Sequence, residues 1–175
     1  MRGFSANGSQ QFDTFFWNGH GFPGLTGSLD NTVDFYYSVL LPWFQVHARD
    51  VESYRRDGSR TVIGLKGNTT IDLDWAATNC TVTVNGAEVA RNGDTFCPVG
   101  NDRIALFSKS DKQLSAALPA GWNPQDIAAR ALSVDKAEEV PVSVSDGKLT
   151  VSVSARRPVM LFRDRAALPK YLRTP

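Results

Sequence analysis

The sequence predicts a mainly β chain, an antiparallel β-sandwich preceded by an N-terminal helical segment. Three features lead there. Beyond residue 46 the chain runs in short segments whose apolar and polar residues alternate, and Asn-Gly or Asp-Gly pairs break these segments at Asp57-Gly58, Asn85-Gly86, Asn92-Gly93 and Asp146-Gly147. Before residue 46 lie most of the aromatic residues, with glycines at Gly19, Gly21, Gly24 and Gly27. A period of two sends successive side chains to opposite faces of a strand, and a long run of such strands fits a sandwich or a barrel-like domain.

The helical segment is expected over residues 30–41. Asp30 is placed to cap its first turn, and Val33, Tyr36, Tyr37, Leu40 and Leu41 recur at three- and four-residue spacing as one apolar stripe. Pro42 disfavours helical geometry at Leu41 and is expected to end the element. The strands expected after it are residues 46–54 and 59–65 around Asp57-Gly58, then 70–75, and then 80–84 and 88–90 around Asn85-Gly86. Both central residues of a type I′ turn need positive φ, so Asn-Gly is a strong hairpin signal. Further strands are expected at 95–99, 103–108, 113–118, 126–134, 139–144, 148–154 and 158–163. Val140, Val142 and Val144, and then Leu149, Val151 and Val153, alternate around Ser145-Asp146-Gly147 and give a hairpin with one buried face. The domains expected are thus 1–45, a sandwich over 46–164, and a polar tail over 165–175 that frays.

The chain has 175 residues, 42% of them apolar and 21% charged, and a net charge of +1. That composition folds, and so small a charge creates no field favouring nucleic acid or an anionic membrane. The longest apolar run, Val39 to Phe44, is far shorter than the roughly 20 residues that span a bilayer. The first residues contain no apolar stretch of secretory type, so if the protein is secreted its signal is expected to lie upstream. Secretion is suggested by the acceptor triplets at Asn7, Asn68 and Asn79, and by Cys80 and Cys97, which flank the Asn85-Gly86 hairpin. The two cysteines are expected to be joined across a three-stranded meander, the alternative being two buried thiols.

The residues that carry chemistry are few. Asp72 and Asp74 share one face of a strand, where a pair of carboxylates can act as acid and base if their environments split their pKa values, or bind calcium together with backbone oxygens; a solvated strand face is the plainer reading. Glu138 and Glu139 open a strand and point apart, so they read as surface residues. His47, beside Arg49 and Asp50, reads as a packed residue; His20 lies in the glycine-rich aromatic loop from Trp17 to Gly24, where Trp17, Asn18 and His20 are candidates to meet a substrate. Both histidines are far in sequence from the cysteines, so no metal site and no cofactor is expected, and no nucleophile elbow, dinucleotide loop or phosphate loop occurs.

One set of segments carries a resemblance. Leu41-Pro42-Trp43-Phe44-Gln45-Val46-His47, then Asn101 to Phe107 running to Leu118-Pro119-Ala120-Gly121-Trp122, then a closing strand through Pro158-Val159-Met160-Leu161-Phe162, together resemble the region after the catalytic barrel of endo-α-N-acetylgalactosaminidases, glycoside hydrolase family 101. The likeness covers residues 12–164, and Val46 departs from the family's pattern by intervening before the histidine. It implies that residues 1–45 are the end of a (β/α)8 barrel and that 46–164 are the following sandwich. It also implies a secreted parent enzyme acting on mucin-type O-glycans, with an aspartate nucleophile and a glutamate acid/base that both precede this chain. No catalytic residue is therefore carried over. Trp17, Asn18 and His20 would line the rim of the parent's cleft, and the partners implied are the upstream barrel and a glycoprotein substrate, with no nucleic acid and no membrane. Two further readings stay open: an independent carbohydrate-binding module, which needs an exposed Trp75 or Trp122, and a ligand-free structural sandwich, which buries both.

Overall fold

The structure, a computed structural model, describes residues 33–34, 36–132 and 137–168. The chain divides into two units, Met1–Tyr36 and Tyr37–Pro175. Nearly all the described residues belong to the second, whose architecture follows.

Thirteen strands are described, in two antiparallel sheets. Strands β1 (Val51–Asp57), β2 (Arg60–Leu65), β3 (Thr69–Asp74), β4 (Asn79–Val84), β5 (Ala87–Arg91), β6 (Asp94–Val99) and β7 (Arg103–Phe107) run as a meander, each paired with the next. Strand β8 (Lys112–Ala117) then leaves for a second sheet, and β9 (Ala128–Leu132) and β10 (Ala137–Glu139) return to the first. Strands β11 (Val142–Ser145) and β12 (Lys148–Val153) join β8, and β13 (Val159–Phe162) closes the first sheet between β7 and β9. The ten-stranded sheet thus has the order β1-β2-β3-β4-β5-β6-β7-β13-β9-β10, and the small one β11-β12-β8.

The expected sandwich is present where the small sheet meets the far half of the large one. Ile104 and Leu106 of β7, Val159 and Leu161 of β13, and Ala129 and Ala131 of β9 pack against Leu114 of β8 and Leu149, Val151 and Val153 of β12. The valine hairpin has the expected register, Val142 opposite Val151 and Val144 opposite Leu149. Its turn places Asp146 at φ 51° and Gly147 at φ 72°, and Asn85-Gly86 does the same at 52° and 79°. These are the left-handed pairs that a two-residue hairpin demands.

The helical segment differs from expectation. A π-helical turn spans Tyr36–Leu40, and an α-helix, α1, follows over Leu41–Val46 with Pro42 in its first turn. Pro42 does not end the helix, because a first-turn N–H has no intrahelical partner to lose and the ring fixes φ near the helical value. The change from i→i+5 to i→i+4 pairing falls between Leu40 and Leu41, just ahead of this residue. Val46 consequently ends α1 as a buried residue, and β1 begins only at Val51. Asp30 lies outside the described residues.

Leu41 and Val46 pack on the large sheet against Leu65, Val82, Val84 and Val89, and the Tyr37 ring stacks on Phe107 at 5.4 Å between centroids. The Tyr37 carbonyl accepts a hydrogen bond from Thr95 Oγ1 at 2.7 Å. At the other end of α1, Arg49 Nη1 donates to Lys66 O at 3.0 Å, Thr69 Oγ1 at 2.9 Å and Asn85 Oδ1 at 3.1 Å, tying the helix exit to two hairpin turns. Much of the apolar stripe is therefore used within this unit.

One other expectation is corrected. The strand expected at 139–144 is two strands in different sheets, β10 and β11, because Pro141 has no N–H to continue a ladder and the chain crosses over there. Of the expected tail, Arg165–Ala167 form a 3-10 turn and Leu168 is buried with Ala128 and Phe162, and residues 169–175 lie outside the described residues.

Candidate functional site

Residues paired across an antiparallel ladder share a face, so the register sorts the meander's side chains. One face carries the row Arg55, Val62, Asp72, Thr81 and Arg91, with Arg60 and Asp74 beside it. The other carries the row Tyr54, Ile63, Ile71, Val82 and Ala90, and next to it the row Arg56, Thr61, Leu73 and Cys80. The meander thus has a charged face and an apolar face.

The carboxylate pair lies on the charged face. Arg60 clasps Asp72 with both its Nε, at 2.8 Å from Oδ1, and its Nη2. Asp74 Oδ1 accepts from Ser59 Oγ at 2.9 Å and from the backbone N–H groups of Ala76 at 3.0 Å and Ala77 at 3.2 Å, an Asx turn that shapes the exit from β3. The hydrogen bond from Arg60 lowers the Asp72 pKa, and the bonds from Ala77 and Ser59 lower that of Asp74. Both carboxylates are shifted the same way, so neither is held protonated near neutral pH as a general acid must be.

A pH dependence follows. The two pKa values are lower folded than unfolded, so the stabilisation is complete above the unfolded value near pH 4 and is lost as pH falls through the folded values. Asp72→Asn combined with Asp74→Asn should flatten the acid limb of a Tm-against-pH profile below about pH 4. An unchanged acid limb would contradict this reading of the pair.

The apolar face is only partly covered by α1. Beside the helix an open groove of about 600 Å³ is walled by Val39 and Trp43 and floored by Ile63, Ile71, Leu73 and Val82. Toward β1 the same face continues along β2 to Thr61 and then to Arg56 and Tyr54. Tyr54 is 63% exposed and Trp75 61% exposed. Trp75 is nevertheless fixed: its indole Nε1 donates to Oγ1 of buried Thr61 at 3.1 Å, which lays the ring on the apolar face. Trp122 is buried in the sandwich core, so the two tryptophans have opposite fates.

The cysteines are free thiols, which corrects the expected disulfide. Cys80 is on β4 and Cys97 on β6, with β5 between them, so the two strands lie about 9.6 Å apart, beyond disulfide reach. Burial pushes the Cys97 thiol up to about 12, and burial together with nearby Asp72 raises that of Cys80. Unreduced protein should therefore yield two titratable thiols on denaturation and almost none when native; zero after denaturation would show that the pair is joined.

His47 is the exposed cap residue of α1, with its ring 6.1 Å from that of Trp43 and 5.8 Å from that of Phe44. Glu138 pairs with Arg157 at 2.8 Å, and Glu139 with Arg165 at 3.1 Å, as surface charges do. Asn68 and Asn79 are both exposed, the first in the β2–β3 turn at φ 49°. Trp17, Asn18, His20 and Asn7 lie outside the described residues. Among the described residues no group of three or more His, Cys, Asp or Glu side chains is placed to hold a metal, and no helix is long and apolar enough to cross a membrane. Comparison of the sequence with protein-family models and with curated proteins finds no match.

Proposed function

We propose that this chain is an accessory β-sandwich of a secreted glycoside hydrolase, similar to the sandwich that follows the catalytic barrel in family 101, and that it works by contact rather than by chemistry. One observation supports this most: the carboxylates suited to acid/base work, Asp72 and Asp74, are tied to Arg60 and to an Asx turn on the charged face, whereas the opposite face bears an open apolar groove. In this reading the outer side of the helical segment, where Val39, Trp43 and Phe44 are 46%, 36% and 48% exposed, is the surface that meets an upstream catalytic barrel. The substrate of the intact enzyme would be a mucin-type O-glycan outside the cell, and neither nucleic acid nor a membrane is a partner.

The purified chain is expected to release only background product from a chromogenic α-linked Gal-GalNAc glycoside. Turnover abolished by Asp72→Asn or Asp74→Asn would overturn the proposal. In the longer polypeptide that includes the barrel, Trp43→Ser with Phe44→Ser should lower Tm while leaving the Tm of the isolated chain nearly unchanged. A second reading, an independent carbohydrate-binding module, is favoured by exposed Trp75, one of the two rings that could serve it, the other, Trp122, being buried.

A further inference from the structure

We propose that Trp75, Thr61 and Arg56 form a binding site for a carboxylate-bearing sugar, with the pyranose ring stacked on the indole of Trp75 and its carboxylate held by the Arg56 guanidinium. The site rests on the reading of the chain as an accessory module and adds to it a second contact, away from the one proposed for the barrel.

The indole comes first. An exposed tryptophan is ordinarily free to turn about two side-chain torsions, but Trp75 is anchored at both ends, by its backbone N–H to Ser59 O at 3.0 Å and by Nε1 to Thr61 Oγ1 at 3.1 Å. The anchor itself is rigid, since Thr61 is only 4% exposed within the sheet. A ring that is 61% exposed yet held in place offers a face without the entropic cost of ordering it.

The bond to Thr61 also narrows the ligand. Tryptophans that dock proline-rich peptides offer their indole N–H to a peptide carbonyl. Here that N–H is already engaged, so recognition falls to the ring face, and a pyranose presents a flat patch of C–H bonds suited to it.

Arg56 supplies the second requirement. It is the ladder partner of Thr61 on β1, so its Cα lies about 5 Å from that of Thr61, across from the indole's anchor. Its guanidinium has no ion-pair or hydrogen-bond partner among the described residues. The two rows of this face contain no acid, because Asp72 and Asp74 are on the other side of the sheet and Glu52 sits in the β1 bulge beyond Tyr54. Among the described residues, the only charged one lining the groove on this face is a second cation, Lys109, and an unpaired planar fork in such surroundings is complementary to a carboxylate. A nucleic-acid strand would need a line of cations to follow its phosphates, and the described residues of this face offer no such line, only Arg56 and, in the groove, Lys109.

The test is a titration of the full chain, followed by indole N–H and arginine side-chain NMR shifts, with sialyllactose, lactose, a proline-rich peptide and a single-stranded oligonucleotide. Sialyllactose is expected to bind and to shift the Trp75 and Arg56 signals, with lactose at least about tenfold weaker. Trp75→Ala should weaken binding about tenfold or more, Arg56→Gln should abolish the preference over lactose, and Thr61→Val, which frees the indole, should weaken it severalfold. Trp75 and Arg56 are exposed, so Trp75→Ala and Arg56→Gln should melt like the wild type and that comparison stays valid. Absent sialyllactose binding, equal binding of lactose, tighter binding of the peptide or oligonucleotide, or indifference to Trp75→Ala would each overturn the site. Those results leave the accessory-module reading standing, whereas glycoside turnover by the chain would overturn that reading instead.

Discussion

Phe107→Ala is expected to cost about 3–5 kcal/mol and to loosen the helix more than the sandwich. Phe107 is fully buried on β7, and its ring carries the stacked Tyr37 ring at the entry to the helical segment. Truncation leaves a cavity under Tyr37 and removes a stacked pair worth about 0.5–1.5 kcal/mol beyond its buried area. The entry to the segment then keeps the Thr95–Tyr37 and Ser38–Gly93 hydrogen bonds, while Leu41 and Val46 keep their packing on the sheet. Urea unfolding measures the total, and hydrogen exchange locates it: amides of Leu41–Val46 should lose more protection than those of Lys148–Val153. A loss below about 1 kcal/mol, or equal loss in both segments, would mean that the helix does not depend on this contact.

Leu161→Ala is the counterpart for the sandwich, with an expected cost of about 2–5 kcal/mol. Leu161 has no exposed surface; it sits on β13, which pairs with β7 on one side and β9 on the other, and it faces the small sheet. Its neighbours belong to strands fixed by these ladders, so the cavity has little scope to collapse. Here protection should fall first in β12 and β8, whose apolar faces lose their opposing surface. A cost under about 1 kcal/mol would show that the two sheets are packed less tightly than the burial implies.

The hairpins were legible in the sequence because their causes are local. Asn85-Gly86 and Asp146-Gly147 require left-handed backbone, and the valine alternation on either side of Asp146 sets the register by itself. What the sequence did not reveal depends on distant residues. Nothing in Lys112–Ala117 says that β8 leaves the first sheet, and the departure from β10 to β11 is marked only by Pro141. Pro42 reads as a stop when the helix is taken to begin at residue 30, and as a first-turn residue once α1 begins at Leu41. The cysteines seemed close because they flank a hairpin, yet an intervening strand separates them.

The candidate site was legible only in part. Asp72 and Asp74 were visible as a pair on a strand face, and their solvated character follows from Arg60 arriving on the neighbouring strand. Trp75 stands out by its type, whereas nothing in the sequence sets Arg56 or Thr61 apart from other strand residues. Their convergence needs the registers of β1 with β2 and of β2 with β3, which no short motif encodes.

The central claim is that the chain acts through its apolar face and leaves its carboxylates to structural work. Isothermal titration with a sialylated O-glycopeptide tests it most directly, because one trace reports both binding heat and sustained heat from turnover. The account expects saturable binding heat without continuing heat flow, unchanged in the Asp72→Asn, Asp74→Asn variant and weakened about tenfold by Trp75→Ala. Sustained heat flow that disappears in the aspartate variant would contradict it.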